Sequence, residues 1–401
     1  MLTRGCRFSL PDSAVMAIGP MMWQAVDMAI AINWKTGFEI ELMAPVGKSR
    51  EDLAHTLARN HGGSVQRFFH PQSEPSKVPG RPTFENLTLG FHLHNAAGEI
   101  IASFVDDLTL QADFKKQTAP KPGWYRIIGD DARLLRLVIR HCKASLTAEN
   151  VLKPLAVLFG TEALPHESGM YRVEDDRGVS VAICAPLPGE RERPCEIVTA
   201  PIVTGHAEKL SQLLDEAAAQ NFAVPFEGAT HVHFDATPLC SAPVIASLVA
   251  TFSKYGAELQ QLVGVNGNCV RLGAWPDSLV TMTASEKFQM LTWPEARAEI
   301  AALSLSKYCD YNLLNIANEN RLKHTFEVRV LPSTLDANHI LRATGLFETI
   351  LTWCCSSASQ TAILPETLSM LIDQAPCSPS TANHWQRQIA ARNKLAIAPF
   401  A

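Results

Sequence analysis

The run Gly37-Phe38-Glu39-Ile40-Glu41-Leu42 constrains the fold more than any other stretch of this chain. Acids alternate with large apolar residues, and successive side chains of a β-strand point to opposite faces. On a strand, Glu39 and Glu41 therefore share one face. Two adjacent carboxylates on a sheet are costly unless positive charge lies over them. A divalent cation is the simplest such charge, and hard cations such as Mg²⁺ prefer carboxylate oxygens. The competing reading is an exposed edge strand whose acids face water.

Three more segments carry polar groups at alternating positions among apolar ones. Pro194–Pro201 holds Glu196, His231–Asp235 holds His231 and His233 on one face, and Phe326–Leu331 holds Glu327 and Arg329 on one face. Each has a plain reading as packing or as a solvated pair. If the faces converge, the site contains four carboxylates, two imidazoles and one guanidinium. Carboxylates would hold divalent metal, and Arg329 would balance a phosphoryl group. That combination suits phosphoryl transfer, in which metal and Arg clamp spreading charge. His92 and His94 have the same spacing but lie beside a turn, and read as hairpin surface.

The chain has 401 residues, 47% of them hydrophobic and 19% charged, which suits a well-buried protein rather than a disordered one. A net charge of −5 with scattered basic residues leaves no footprint for nucleic acid. Ten cysteines without a Cys-x-x-Cys pair argue against a zinc ribbon or thioredoxin-type site and for a reducing, cytoplasmic setting. Residues 14–32 are apolar, but Pro20, Gln24 and Asp27 interrupt them, so a leader segment is expected and no membrane span.

Helices are expected over Ser49–His61, with Ser49 as N-cap, and over 131–144, 206–220, 243–261, 295–305 and 335–353. Strands are expected over 87–94 and 99–106, joined by the turn Asn95–Gly98, and over 169–183, 195–200, 230–235 and 324–331. Residues 70–83 read as a loop and 186–194 as a charged connection. There is no β-α-β rhythm and no Gly-rich phosphate loop. An α+β fold with a largely antiparallel sheet is the expectation.

Taken in order, Thr36–Leu42, Cys195–Pro201, Thr230–Asp235, Tyr311–Asn315 and Phe326–Asp336 resemble the conserved blocks of the amidoligase family, within the glutamine synthetase and glutamate–cysteine ligase superfamily of carboxylate–amine ligases. The resemblance spans about residues 34–355. It implies a catalytic domain there with a hairpin insertion near 84–110, flanked by a leader at 1–33 and a peripheral segment at 356–401. It implies a curved, mainly antiparallel sheet with helices on its convex side, and ATP with Mg²⁺ or Mn²⁺ on the concave side. By resemblance, Glu39, Glu41, Glu196 and Glu327 match metal ligands. Arg329, His231 and His233 match catalytic groups near the phosphates or the substrate carboxylate, and Arg329, His233 and Asn315 match nucleotide contacts. Asn312 falls in a block close to the site. An Asp-Gly-Ser-like turn of such families has only a loose counterpart at Tyr171–Ser180.

The implied activity is ATP-dependent amide formation through an acyl phosphate, on an amino acid, peptide or cell-wall-type substrate. Small-molecule or peptide carboxylates and amines would be the partners, chosen by loops such as 70–83 and 184–194. One alternative is a metal-dependent hydrolase using His231, His233 and Asp235. The other is a non-catalytic member of the fold.

Overall fold

Strand β1 (Thr36–Met43), which carries the two acids, lies inside the sheet and not at its edge. It pairs antiparallel with β9 (Pro194–Thr199) on one side and β10 (Ala229–Asp235) on the other. The computed structural model describes residues 30–75, 83–129, 131–318, 323–356 and 363–397. The expected leader falls mostly on residues 1–29, outside the described residues.

The other strands are β2 (Ser64–Pro75), β3 (Thr83–His94), β4 (Ile100–Val105), β5 (Tyr125–Gly129), β6 (Ala163–His166), β7 (Met170–Glu174), β8 (Ser180–Pro186), β11 (Tyr311–Asn312) and β12 (Thr325–Pro332). Among the described residues they form one 12-stranded sheet in the order β11-β12-β10-β1-β9-β4-β3-β5-β8-β7-β6, with β2 paired to β3. Every pairing between these strands is antiparallel. With the helices, this makes an α+β fold, as the irregular interleaving of strand and helix patterns suggests.

One face of the sheet is apolar because alternate residues make it so. Phe38, Ile40 and Leu42 of β1, Val232 and Phe234 of β10, and Phe326 and Val328 of β12 are almost completely buried. The helix Ala242–Val263 covers this face. Its Phe252 packs 5.5 Å from Phe326, 4.3 Å from Tyr311 and 6.2 Å from Phe347 of the helix Ala337–Cys355, ring centre to ring centre. Burying each such side chain is worth about 1.5–3 kcal/mol. The entry to β1 is pinned to the same layer: Glu348 accepts hydrogen bonds from the backbone N–H groups of Asn33 and Trp34 at 2.6 and 2.8 Å. Packing on this side leaves the even-spaced acids on the other.

One expectation needs correction. Residues 70–75 are strand and not loop, since β2 continues to Pro75; residues 76–82 lie outside the described residues. Pro71 and Pro75 argue against a central strand, but β2 pairs only with β3, and an edge strand tolerates proline. The charged connection expected before β9 is present, and it is buried. Glu190, Arg191, Glu192 and Arg193 are all under 9% exposed. Arg191 bonds Asp106 at 2.6 Å and Glu74 at 2.8 Å, and Arg193 bonds Glu190 at 2.6 Å. The segment therefore ties β2 and the end of β4 to β9. The C-terminal helices Leu368–Gln374 and Pro379–Ile397 also join the core, through Leu368, Leu371 and Trp385. Among the described residues no helix is long and apolar enough to cross a membrane.

Candidate active site

Register brings the polar residues together. Glu39 pairs across strands with His231, Glu41 with Glu196, and His233 with Glu327. Directly opposite residues share a face, so every acid and imidazole of the four segments points away from the helices. Arg329 follows Glu327 by two residues and joins the same face. All seven residues singled out from those strands meet in one place.

The contacts are close. His231 Nδ1 lies 3.2 Å from Glu39 Oε2 and 3.5 Å from Glu327 Oε1. His233 Nε2 lies 3.3 Å from Glu39 Oε1 and 3.9 Å from Glu327 Oε1. Its Nδ1 is 3.1 Å from the Thr325 hydroxyl, which fixes the ring. Arg329 Nη1 donates to Glu327 Oε1, and the Asn312 amide donates to Glu327 Oε2 at 2.8 Å. Asn312 reaches this face because β11 turns its neighbour Tyr311 into the aromatic core. Asn315 stands one step back, donating to Thr325 at 3.3 Å. Glu41 accepts from the Ala229 backbone N–H at 2.9 Å.

Burial sets the electrostatics. Glu41 is only 1% exposed. Its carboxyl is pushed up to about 8 by burial and by the facing charge of Asp107, against the pull of Arg271. Burial raises Glu196 well above the usual range too, reinforced by the charges of Glu39, Asp107 and Glu41. Glu39 goes the other way. Burial would raise it, but the charge on His233 and the hydrogen bonds from His231 and His233 hold it well below that range. Glu327 is also lowered, because His233 and Arg329 outweigh its burial. His231 is lowered by burial, whereas the Glu39 charge carries His233 upward in spite of burial.

Pattern reading missed three groups. Lys323 Nζ donates to Glu39 Oε1 at 2.9 Å. Arg271 Nη2 donates to Glu41 Oε1 at 3.2 Å and lies 3.7 Å from Asp107 Oδ2. All three sit in irregular segments, where no strand or helix period marks a face. Their only sequence signal is position: Asp107 just follows β4 and Lys323 just precedes β12. Asp235, by contrast, is occupied elsewhere, accepting from the Thr237 backbone N–H at 3.0 Å and from its hydroxyl at 2.6 Å.

The donor set fits a divalent cation. Glu39, His233 and Glu327 offer ligand atoms within 4.8 Å of one another, and so do Glu39, Glu196 and His231. His233 Nε2 is buried between two carboxylate oxygens, 3.3 Å from Glu39 Oε1 and 3.9 Å from Glu327 Oε1. Oxygen-rich clusters with one imidazole each suit a hard to borderline ion. Beside Glu39 opens a cavity of about 420 Å³ whose lining includes Lys35, Lys323, His324 and His233, with Lys323 paired to Glu39 and Lys35 3.9 Å from Asp235.

Residues 32–351 match the family model described as putative amidoligase enzyme. No curated protein matches the chain.

Proposed function

The chain belongs to the putative amidoligase enzyme family, and from that premise we propose that it is an ATP-dependent carboxylate–amine ligase with the glutamine synthetase-like arrangement of sheet and site. One observation carries the reading: four strands far apart in sequence set four carboxylates, two imidazoles and Arg329 against one another on one protected face. So much opposed charge in a single recess is costly to bury, and binding of metal with a polyanion would use it, which supports the reading.

The residues divide the work. Glu39, Glu41, Glu196 and Glu327, with His231 and His233 at their edge, would hold Mg²⁺ or Mn²⁺. Such an ion, when bound, neutralises phosphate charge and polarises the transferring phosphoryl group. The cavity beside Glu39, lined by Lys35, Lys323, His233 and His324 as well as by Glu39 and Asp235, would take the nucleotide, with Lys323 and His233 toward the polyphosphate. Arg329, anchored by Glu327 and by the Asp310 carbonyl that accepts from its backbone N–H, would meet the phosphoryl oxygens. Asn312 and Asn315 hold Glu327 and Thr325 in position.

A substrate carboxylate oxygen attacks the γ-phosphorus, the bond to ADP breaks, and an acyl phosphate results. An amine then attacks the acyl carbon, phosphate leaves with the bonding pair, and the amine proton passes to solvent or to a neighbouring carboxylate. No side-chain nucleophile is required. Every cysteine among the described residues is free, which supports a reducing, cytoplasmic setting. The hydrolase alternative loses support because Asp235 lies outside both ligand clusters.

The test is ADP release by the purified protein with ATP, Mg²⁺, a panel of amino acids and dipeptides, and hydroxylamine as a general amine. Hydroxamate should form with ADP only when nucleotide, metal and carboxylate are all present. ADP release indifferent to the carboxylate, or no release across the panel, would count against the reading.

A further inference from the structure

The row of acids has two ends, and each meets a different cavity. At the Thr36 end of β1 lies the basic cavity beside Glu39. At the other end Glu41 meets Arg271, which lies on the loop after the helix Ala242–Val263. Arg271 also lines a second cavity of about 490 Å³, together with Leu108, Thr109, Gln111, Lys116 and Glu227. That volume falls within the range of roughly 300–1,000 Å³ usual for small-molecule sites.

This second cavity is a built mouth. Three loops enclose it and are tied to one another. Glu227 accepts from the backbone N–H of Gln111 at 3.0 Å, and Asp113 accepts from that of Phe226 at 2.7 Å. The Asn266 amide donates to the carbonyls of Phe226 at 3.0 Å and Gly228 at 2.9 Å. The lining charge favours an anion. Lys116 and Arg271 are the cations, and the one acid, Glu227, is committed to backbone N–H groups.

Arg271 is suited to the task. Of its nitrogens, Nη2 alone is engaged among the described residues, at 3.2 Å from Glu41 and 3.7 Å from Asp107, which leaves the rest of the fork for a ligand. A guanidinium presents five N–H donors in a planar fork that matches a carboxylate. Glu39 and Glu41 stand two residues apart, roughly 7 Å along the strand. A carboxylate on Arg271 would therefore approach the acid row from the end opposite the basic cavity, as transfer between two ligands requires.

We propose that Arg271 clamps the carboxylate of the substrate, and that the 490 Å³ mouth admits a short peptide by its free C-terminus. Leu108 and Val270, the latter 88% exposed, offer apolar surface to a peptide side chain. This rests on the ligase reading, whose own test is separate.

The probe is a pool of tripeptides with free C-termini, mixed with the same pool as C-terminal amides, and retention by the protein is read by mass spectrometry. Wild type should retain free-carboxylate peptides over amides. Arg271→Met should lower that retention at least tenfold, and Arg271→Lys, which keeps charge without the fork, should lower it less. Ala112→Trp, which fills the mouth without touching Glu41, should abolish retention even if Arg271→Met does not fold. Mg-ADP affinity measured by calorimetry should stay within twofold in Ala112→Trp. The proposal is overturned if wild type retains no peptide, if amides are held equally, if Ala112→Trp leaves retention intact, or if Ala112→Trp loses Mg-ADP as well. Peptide retention without ADP release would leave this site standing and remove the ligase reading alone.

Discussion

Glu41 shows what a single residue can cost. It is almost fully buried, and its carboxyl is pushed up to about 8 by burial and by Asp107. Near neutral pH it must either hold a proton or be compensated, an expense on the order of 3 kcal/mol. A neutral amide of the same shape avoids that cost. Glu41→Gln should therefore lower carboxylate-dependent ADP release by about 10²-fold or more while leaving the melting temperature unchanged or raised. A variant that loses activity and stability together would mark Glu41 as structural. Lys323 makes a different case, since its side chain is half exposed and touches Glu39 at the basic cavity. Lys323→Met should weaken Mg-ADP binding roughly tenfold, about the worth of one charge-assisted hydrogen bond, with little change in melting. Glu39, Glu41 and the paired histidines were legible because a strand's period of two exposes any departure from apolar filling. Arg271, Asp107 and Lys323 were not, because irregular segments have no period to depart from.

At the scale of elements, the edge pair β2–β3 and the buried loop before β9 carry distinct predictions. Phe68 of β2 lies over Gly90 of β3, so that a Cβ at Gly90 would come within 2.6 Å of the ring. Gly90→Ala should cost about 1–3 kcal/mol by displacing Phe68, read as a lower denaturant midpoint with activity kept. Glu74 on β2 is held below the usual carboxylate range: burial would raise it, but Arg191 and Arg126 outweigh that. A lowered native pKa adds stability above the unfolded carboxylate range and loses it as pH falls through the native value. The stability gap between wild type and Glu74→Gln should thus be widest near pH 7, on the order of 1–3 kcal/mol, and close in acid. A gap that persists below pH 3 would show that packing, not charge, is what Glu74 provides. Helices were legible where caps announce them. Ser49 and Asp52 form a capping box at Arg50–Asn60, and Asp131 caps Ala132–His141. Strand β2 was not, because prolines that forbid a central strand are tolerated at an edge.

Across the whole molecule, the site depends on layers that never touch it. The helix Ala337–Cys355 carries Phe347 under the aromatic cluster and Glu348 at the entry to β1, and the C-terminal helices brace its far side. Trp385 is 3% exposed and donates from Nε1 to the Arg342 carbonyl at 3.1 Å. Trp385→Ala should cost about 3–5 kcal/mol and lower the melting temperature, although the residue is remote from every acid in the site. Unchanged melting would mean that the C-terminal helices contribute nothing to the core.

The sequence by itself determined which residues alternate, where helices start, and that the two acids of Thr36–Met43 share one face, because these follow from local periods and capping chemistry. Tertiary structure alone decided that β1 would lie between β9 and β10, that Glu41 would oppose Glu196, and that Arg271 would reach Glu41 from a distant loop. Strand order and register depend on which apolar faces pack against which helices. That energy is summed over the whole core and is written in no single segment.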